Sequence, residues 1–197
     1  MKKLFITLSI LAFILSGCNR RMPAGEFYDR MFGWRITIPE GFDKESSRSL
    51  ERNTENSRQM FENTFGEKIE ATPMQILSLI SREGGFNRIS ALYAGYFNPL
   101  LHGCFSENVR NVNVITYEML STQWQGWTFD TLTTIEQIDG FDFYVLKVKA
   151  TNQDDILNVL SYRRLFGTKM FTFSISYTNE EIGQQILDAW RNSTFGR

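Results

Sequence analysis

The sequence has little histidine and little cysteine, and both scarcities narrow the chemistry open to it. Among 197 residues there is one histidine, His102, and there are two cysteines, Cys18 and Cys104. A zinc site built from several histidines is therefore excluded, and neither H-E-x-x-H nor a pair of C-x-x-C motifs occurs. The sequence also lacks a G-x-S-x-G nucleophile elbow and a Gly-rich phosphate loop. We therefore expect a protein without a metal or cofactor that is not an enzyme.

An excess of charge of one sign is also missing. Lysine and arginine number 21 against 22 aspartate and glutamate residues. Removal of residues 1–17, which contain Lys2 and Lys3 and no acid, leaves 19 basic against 22 acidic residues, a net charge of −3. No basic field attracts nucleic acid, so we expect no nucleic-acid partner. The hydrophobic share of 42% and the charged share of 22% are those of a globular protein.

One long apolar run is present, and it lies at the N-terminus. Leu4–Leu15 follows two lysines and is interrupted only by two hydroxyl residues. A bilayer-spanning helix needs about 20 apolar residues, and this run is shorter. Residues 1–17 are therefore predicted to be an export signal rather than a membrane anchor.

The end of this leader resembles the lipobox of bacterial lipoproteins. Leu15-Ser16-Gly17-Cys18 has the branched apolar residue, the two small residues and the invariant cysteine of that motif. The resemblance implies cleavage between Gly17 and Cys18 and attachment of a diacylglyceryl group, with acyl chains such as palmitate, to Cys18. The alternative is an ordinary secretory leader with a chance cysteine. Some lipoproteins that are moved to the outer cell surface have an acidic cluster after this cysteine, and none follows Cys18. This favours a lipid-anchored envelope protein whose domain faces the periplasm.

The mature chain is predicted to consist of a tether and one domain. Residues 18–31 carry Arg20, Arg21 and Pro23 with little apolar periodicity, which is typical of a tether. Residues 32–197 are predicted to form a single globular domain, since this length is ample for one core.

Four strand-like runs between Trp127 and Tyr177 organise that domain. Asp139-Gly140 separates the first two and Gly167-Thr168 the last two, and such short Gly-containing connections are typical of tight hairpins. Period-2 alternation gives the second and fourth runs one apolar face each, formed by Tyr144, Leu146, Val148 and Ala150 and by Phe171, Phe173, Ile175 and Tyr177. We predict an antiparallel meander whose apolar faces are covered by other segments.

Three further strands and three helices are predicted around the meander. The strands cover residues 32–38, 74–81 and 87–96, and the helices cover residues 57–65, 106–123 and 179–192. Residues 44–56 are predicted to be a solvated loop. Gly66 is predicted to end the first helix, Ser106 to cap the second, and a Thr178 to Glu181 capping box to begin the third.

The second and third of these helices are predicted from different kinds of pattern. Residues 106–123 contain six β-branched residues that suit a strand, but 18 residues without Gly or Pro are too long for an ordinary strand, so we prefer a helix. The terminal helix carries an amphipathic stripe, which predicts that it docks on the sheet through Ile182, Ile186, Ala189 and Trp190.

The predicted fold class is α+β, with one antiparallel sheet of about six to seven strands and helices packed on it. This element order, with "WRITIPEGF" at residues 34–42 and "WRNSTF" at residues 190–195, resembles the PsbP-like fold. That fold is an α/β/α sandwich shared by a photosystem subunit, a nuclear-import factor and many small bacterial lipoproteins. The resemblance implies a role in binding or assembly and transfers no catalytic residue.

His102-Gly103-Cys104 is the one arrangement that suggests a cysteine nucleophile. Residues two apart seldom bring their side chains into hydrogen-bond contact, and no second histidine is available as a base. We therefore prefer a buried or loop cysteine to a thiol-dependent hydrolase that uses Cys104 and His102.

Aromatic residues supply the remaining candidates for contact with a ligand or partner, namely Trp124, Trp127 and Tyr96, with Phe129, Tyr93 and Phe97 nearby. Such residues at the ends of helices and strands are more often part of the core. The preferred interpretation is a non-enzymatic envelope lipoprotein, anchored to the membrane by its lipid, that binds a protein partner or assists assembly. The alternatives are the thiol-dependent hydrolase and a carrier of a small ligand in an apolar pocket between sheet and helix.

Overall fold

The computed structural model describes residues 25–66, 73–96, 103–153 and 155–196. In chain order these ranges contain β1 (Glu26–Asp29), β2 (Trp34–Thr37), β3 (Phe42–Lys44), α1 (Ser47–Phe65), β4 (Met74–Ser81), β5 (Arg88–Tyr96), α2 (Phe105–Gln123), β6 (Thr128–Ile138), β7 (Phe141–Asn152), β8 (Asp155–Phe166), β9 (Lys169–Tyr177) and α3 (Glu180–Arg191). The signal, the cleavage site between Gly17 and Cys18, and His102 lie outside the described residues.

Seven of these strands form one antiparallel sheet in the order β3-β4-β5-β9-β8-β7-β6, which confirms the predicted α+β class. The prediction of a single sheet is wrong, because β1 and β2 form a separate two-stranded hairpin. The strand predicted at residues 32–38 is therefore outside the main sheet, and β3 takes the edge position instead. With three residues, β3 is too short for alternation to reveal.

The predicted meander is confirmed, and its turns have the expected chemistry. Asp139 and Gly140 both have positive φ, 49° and 76°, as a type I′ hairpin turn requires. The Asp139 carboxylate also accepts the backbone N–H of Phe195 at 2.8 Å. This hairpin therefore holds the C-terminal segment as well as its own two strands.

One face of the main sheet, which we call the aromatic face, carries Phe143, Tyr162, Phe171 and Phe173 and is covered by α3 and the β1–β2 hairpin. Trp190 of α3 stacks on Phe173, with ring centroids 4.0 Å apart and planes 10° apart. Trp34 of β2 lies edge-on to Phe171 at 5.3 Å. Both tryptophans are fully buried, so the predicted docking of the terminal helix on the sheet is confirmed.

The two sequence motifs near the chain ends contact each other. Arg35 and Thr194 exchange backbone hydrogen bonds of 2.8 and 3.0 Å, and Trp34 stacks on Phe195 at 6.5 Å. Gly33 has a φ of +61°, and a Cβ placed there would lie 2.5 Å from the backbone of Gly196. A side chain is therefore excluded at this crossing, and the C-terminal segment completes the hairpin layer.

The predicted tether is too long, because residues 26–29 form β1 and pair with β2. Phe27 packs edge-on against Trp34 at 5.6 Å, and the Arg35 guanidinium lies 4.2 Å from the centre of the Tyr28 ring. These contacts place the hairpin in the domain. A four-residue strand without clear alternation gave no signal in the sequence.

Helix α1 begins at Ser47, so the solvated loop predicted over residues 44–56 is wrong for most of its length. Ser46 is the N-cap, and Arg58 forms ion pairs of 2.6 Å with both Glu55 and Glu62. Polar side chains and such pairs support this helix, and its first half lacks the apolar periodicity on which the prediction depended. Gly66 ends the helix with a φ of 68°, as predicted.

The other two helices are confirmed, with different caps. The N-cap of α2 is Cys104 rather than Ser106. The N-cap of α3 is Asn179, whose side-chain oxygen accepts the backbone N–H groups of Glu181 and Ile182. The predicted Thr178 capping box is therefore wrong, because the asparagine next to it satisfies both donors.

Candidate functional site

The opposite face of the main sheet, which we call the polar face, carries hydroxyl groups where a core would carry apolar groups. Residues that lie opposite one another on five successive strands, from β7 to β4, are Leu146, Ser161, Ser174, Ser90 and Ser78. Ser161 and Ser174 are 3.2 Å apart and hydrogen-bonded. The β7–β8 end of the same face also buries Leu146, Val148, Ala150 and Leu157, so the serine row lies beside an apolar patch.

Helix α2 lies over the β6 and β7 end of the polar face. Phe105 contacts the Tyr144 ring at 5.7 Å, and Tyr117 contacts the Phe129 ring at 6.0 Å. These contacts are 12 residues apart on the helix, which corresponds to about 18 Å at 1.5 Å per residue. The helix is thus held near both ends.

A cavity of about 440 Å³ lies between α2 and strands β6 and β7, and we call it the α2 cavity. Its helix wall includes Val109, Arg110 and Asn113, and its sheet wall includes Thr131, Tyr144 and Leu146. Val114 and Tyr117 also line it and are 51% and 41% exposed. Apolar and polar groups therefore share its surface.

A buried cation lies next to this cavity. Arg163 of β8 is 4% exposed, and its guanidinium donates hydrogen bonds to Asn113 Oδ1 at 2.5 Å and to Thr116 Oγ1 at 3.3 Å. Among the residues that the structure describes, no carboxylate forms an ion pair with Arg163. Burial lowers the pKa of Arg163 to about 10, and the group remains a cation at neutral pH. Neutral oxygens alone solvate this charge.

A pair of consecutive arginines in β8 is the sequence feature that indicates a buried cation. Arg163 and Arg164 are consecutive in β8, so their side chains point to opposite faces of a sheet that is covered on both sides. Arg164 places its guanidinium 4.7 Å from the Phe141 ring and donates to the backbone oxygen of Asp142. Arg163 is directed under α2.

A buried carboxylate connects α1 to the sheet. Glu45 accepts hydrogen bonds from Ser49, Asn53 and Ser78 at 2.5, 2.7 and 2.6 Å, and Arg88 lies 3.4 Å away. Burial opposes ionisation of Glu45, but the hydrogen bonds from Ser49 and Ser78 and the charge of Arg88 outweigh it, so its pKa lies below the usual value. Both carboxylate oxygens are occupied by protein donors, and we assign this group a structural role.

Two of the predicted contact residues lie together at the surface. Trp124 and Trp127, between α2 and β6, have ring centroids 5.2 Å apart and planes tilted by 47°. Phe86, from the turn between β4 and β5, lies 5.8 Å from Trp124 and is 64% exposed. We call these three residues the aromatic trio. Phe86 lies between two predicted strands and follows Gly84 and Gly85, and no sequence pattern groups it with the tryptophans.

Tyr96, the third predicted contact, is not part of this group. It is the last residue of β5, opposite Lys169, whereas Phe86 precedes the first. Eight residues of strand, about 26 Å, separate Tyr96 from Arg88 at the other end. The side chain of Tyr96 and the whole of Phe97 lie outside the described residues. The backbone of Tyr96 therefore lies at the opposite end of β5 from the turn that carries Phe86.

The domain is similar to the solution structure of cyanobacterial PsbP (CyanoP) from Synechocystis sp. PCC 6803, with a TM-score of 0.59 and 12% sequence identity over 93% of this chain and 99% of that chain. It has a PsbP-like fold. LpqN, involved in cell envelope biogenesis of Mycobacterium tuberculosis, matches this PsbP-like domain with a TM-score of 0.49 and 9% identity over 83% of each chain. No protein-family model matches the sequence, and no curated protein matches it.

The fold suggested by the two terminal motifs is thereby confirmed, and the contact between them explains why they carried the signal. Trp34 begins one motif and Trp190 begins the other, and their rings meet at 6.3 Å in the core of the PsbP-like domain. At such low identity, the similarity establishes the fold and leaves the activity to be argued from this chain's own residues.

The PsbP-like domain carries one described thiol. Cys104 is exposed, and its Sγ lies 3.1 Å from Ser106 Oγ. Its pairing with His102 stays a prediction, because His102 lies outside the described residues. Within the described ranges, no cluster of three His, Cys, Asp or Glu side chains is placed to bind a metal ion. No helix in the described part of the chain is both long and apolar enough to cross a membrane.

Proposed function

We propose that this protein is a non-enzymatic lipoprotein of the bacterial cell envelope that binds a protein partner through the aromatic trio. The observation that carries the proposal is the cluster of the exposed Phe86 with the half-buried Trp124 and Trp127, on a domain preceded by a sequence that resembles a lipobox. Its lipid attaches it to the membrane, and its domain faces the periplasm.

The anchor determines where the trio operates. A lipobox cysteine receives two or three acyl chains, which hold a protein on a membrane stably, whereas one chain binds only marginally. Seven residues, 19–25, separate Cys18 from the start of β1, and they reach at most about 25 Å at roughly 3.5 Å per residue. The domain therefore lies close to the bilayer, within reach of partners that are themselves in or on the membrane.

The geometry of the trio favours a protein partner. Tryptophan is enriched among the residues that contribute most to protein–protein binding, and such residues cluster. The rings of Trp124 and Trp127 are tilted by 47°, and those of Phe86 and Trp124 by 54°, so faces and edges are presented together. An uneven surface of this kind accommodates protruding side chains better than one flat sugar ring.

Site-specific photo-cross-linking in the native cell tests the partner. A photoreactive phenylalanine replaces Phe86 in one strain and Met31 in the other. Met31 is 47% exposed in the β1–β2 hairpin and serves as the matched control. We expect one discrete adduct from position 86, none from position 31, and loss of the adduct when Trp124→Ala is added. Equal adducts at the two positions would contradict a partner site at the trio.

Mass spectrometry of the N-terminal peptide tests the anchor separately. We expect the native product to begin at Cys18, to carry a lipid mass there, and to partition into detergent. The mature chain with Cys18→Ser is expected to be soluble without detergent. An unmodified peptide, or one that begins at any other residue, would contradict the lipoprotein assignment.

A further inference from the structure

The α2 cavity is large enough for a small ligand, and none of the aromatic trio lines it among the described residues. Its volume of about 440 Å³ falls within the roughly 300–1,000 Å³ of small-molecule sites. At about 30 Å³ for each water-sized group, it holds about fifteen non-hydrogen atoms. A single-chain molecule of medium length fits this space, whereas a two-chain phospholipid is several times larger.

One charged side chain is among the described residues that line the cavity, and it is basic. Arg110 lines it, and among the described residues Arg110 forms no ion pair. Arg163 lies directly behind Asn113, which binds its guanidinium and also lines the cavity. No aspartate or glutamate is among the described residues that line the cavity. A negative group placed there can pair with Arg110, is separated from Arg163 by Asn113, and meets no carboxylate among the described lining residues.

The remaining wall supplies apolar surface and hydroxyl groups. Val109, Val114 and Leu146 offer apolar contacts, while Thr131 and Tyr144 offer hydrogen-bond donors. Buried charges in proteins are normally compensated by a partner of opposite sign. An anion in the cavity would place a negative charge on the other side of Asn113 from the Arg163 guanidinium.

We propose that the α2 cavity binds a medium-chain fatty acid, with its carboxylate toward Arg110 and Asn113 and its chain against Val109, Val114 and Leu146. The carboxylate accepts a charge-assisted hydrogen bond from the Arg110 guanidinium. The chain displaces water from the apolar part of the wall, between α2 and the polar face.

Calorimetric titration with dodecanoate, whose atom count is close to what the cavity holds, tests this assignment. The protein is the mature chain with Cys18→Ser, so that no covalent lipid competes. The core residues lie between Phe27 and Phe195, so this chain contains the whole core. We expect one molecule bound per chain, weaker binding of uncharged dodecanol, and no binding of acetate.

Three variants locate the site. Arg110→Glu is expected to weaken dodecanoate binding at least about tenfold, because one charge-assisted hydrogen bond is lost and a repulsion is introduced. Thr131→Trp, at a solvent-accessible position of β6 that lines the cavity, fills the cavity and is expected to abolish binding. Arg30→Glu makes the same charge change on an exposed arginine of the hairpin and is expected to change nothing. Each variant is first shown to keep the parent's unfolding midpoint.

The same variants identify outcomes that would overturn the proposal. Absence of dodecanoate binding to the parent, equal effects of Arg110→Glu and Arg30→Glu, or equal affinity for dodecanol would each exclude a carboxylate site in this cavity.

Vesicles of phosphatidylglycerol test the other source of anionic amphiphile. If Thr131→Trp reduces binding to these vesicles, the occupant is a membrane lipid and the fatty-acid assignment is wrong. We expect that variant to leave vesicle binding unchanged.

Discussion

The two faces of the main sheet are built on different principles. On the aromatic face, α3 has 12 residues and buries five of them, Ile182, Gly183, Ile186, Leu187 and Trp190. On the polar face, α2 has 19 residues, and among its described side chains only Val109 and Asn113 are buried. One sheet thus has a densely packed face and a loosely covered one.

This difference in packing indicates that the aromatic face stabilises the fold and that the polar face is the better candidate for binding. Interlocking rings fill the core on the aromatic face, and each ring contributes buried apolar area to stability. The polar face instead contains a cavity, a row of hydroxyl groups and an arginine without a carboxylate partner among the described residues. Natural proteins tolerate such polar burial where it serves a function.

The largest expected effect is on the aromatic face. Trp190→Ala removes a fully buried ring stacked on Phe173 at 4.0 Å, and we expect a loss of about 3–5 kcal/mol in the free energy of unfolding. Tyr117→Ala on α2, where the ring is 41% exposed, is the matched control and is expected to cost less than about 1 kcal/mol. Urea denaturation of both variants measures the difference. Equal losses would contradict the comparison.

The contribution of Glu45 to the free energy of unfolding is expected to depend on pH. Because the folded-state pKa of Glu45 lies below its unfolded value of 4.5, the stabilisation is present above that pH and is lost as the pH falls through the folded pKa. Glu45→Gln is expected to cost about 2 kcal/mol at neutral pH and much less in acid. Unfolding free energies measured from pH 7 to pH 3 check this. A loss in Glu45→Gln that is the same at both ends would refute the linkage.

Gly183 tests how close the packing is on the aromatic face. Alanine in place of glycine inside a helix normally stabilises by about 1 kcal/mol. A Cβ at position 183 would lie 2.4 Å from the Tyr177 ring, so we expect Gly183→Ala to destabilise by about 1–2 kcal/mol instead. Gln184→Ala, at the next and exposed position, is the control. A stabilising Gly183→Ala would show that α3 is free to move away from the sheet.

Arg163→Met is expected to change stability by less than about 1 kcal/mol. The desolvation cost of the guanidinium is removed, while Asn113 and Thr116 lose their donor, and these terms oppose each other. Dodecanoate affinity is expected to fall in the same variant. A large loss of stability with unchanged affinity would assign Arg163 to the core rather than to the cavity.

Cys104→Ser should have the smallest effect. The thiol is exposed and its side chain makes no cap hydrogen bond, so the unfolding free energy is expected to change by less than about 0.5 kcal/mol. Any cellular phenotype should also persist. Loss of function with an unchanged melting point would instead favour the thiol-dependent hydrolase.

The sequence predicted the aromatic face far better than the polar one. Alternation in β9 and the stripe on α3 are strong periodic signals, and both describe residues that bury apolar groups. Most of helix α1 was missed because it carries mostly polar residues, and β3 was missed because it is too short for a period to show. On the aromatic face, β1 was missed for the same reason as β3.

For the candidate sites, the sequence indicated only those contacts that are made between residues close together in the chain. The proximity of Trp124 and Trp127 follows from their positions three residues apart in the chain, whereas Phe86 joins them only through tertiary structure. The pairing of Arg163 with Asn113 joins residues 50 apart in sequence. The α2 cavity likewise forms between a helix and two later strands. No local pattern reports a contact of that kind.

Native-state hydrogen exchange measures the difference between the two faces most directly. Amides of α3 are expected to exchange only through global unfolding, because the helix is fixed by the buried aromatic core. Amides of α2 are expected to exchange through local opening at a lower free energy, and dodecanoate is expected to slow them while leaving α3 unchanged. Exchange in α2 as slow as in α3, without ligand, would contradict the claim that the polar face is loosely covered and available for binding.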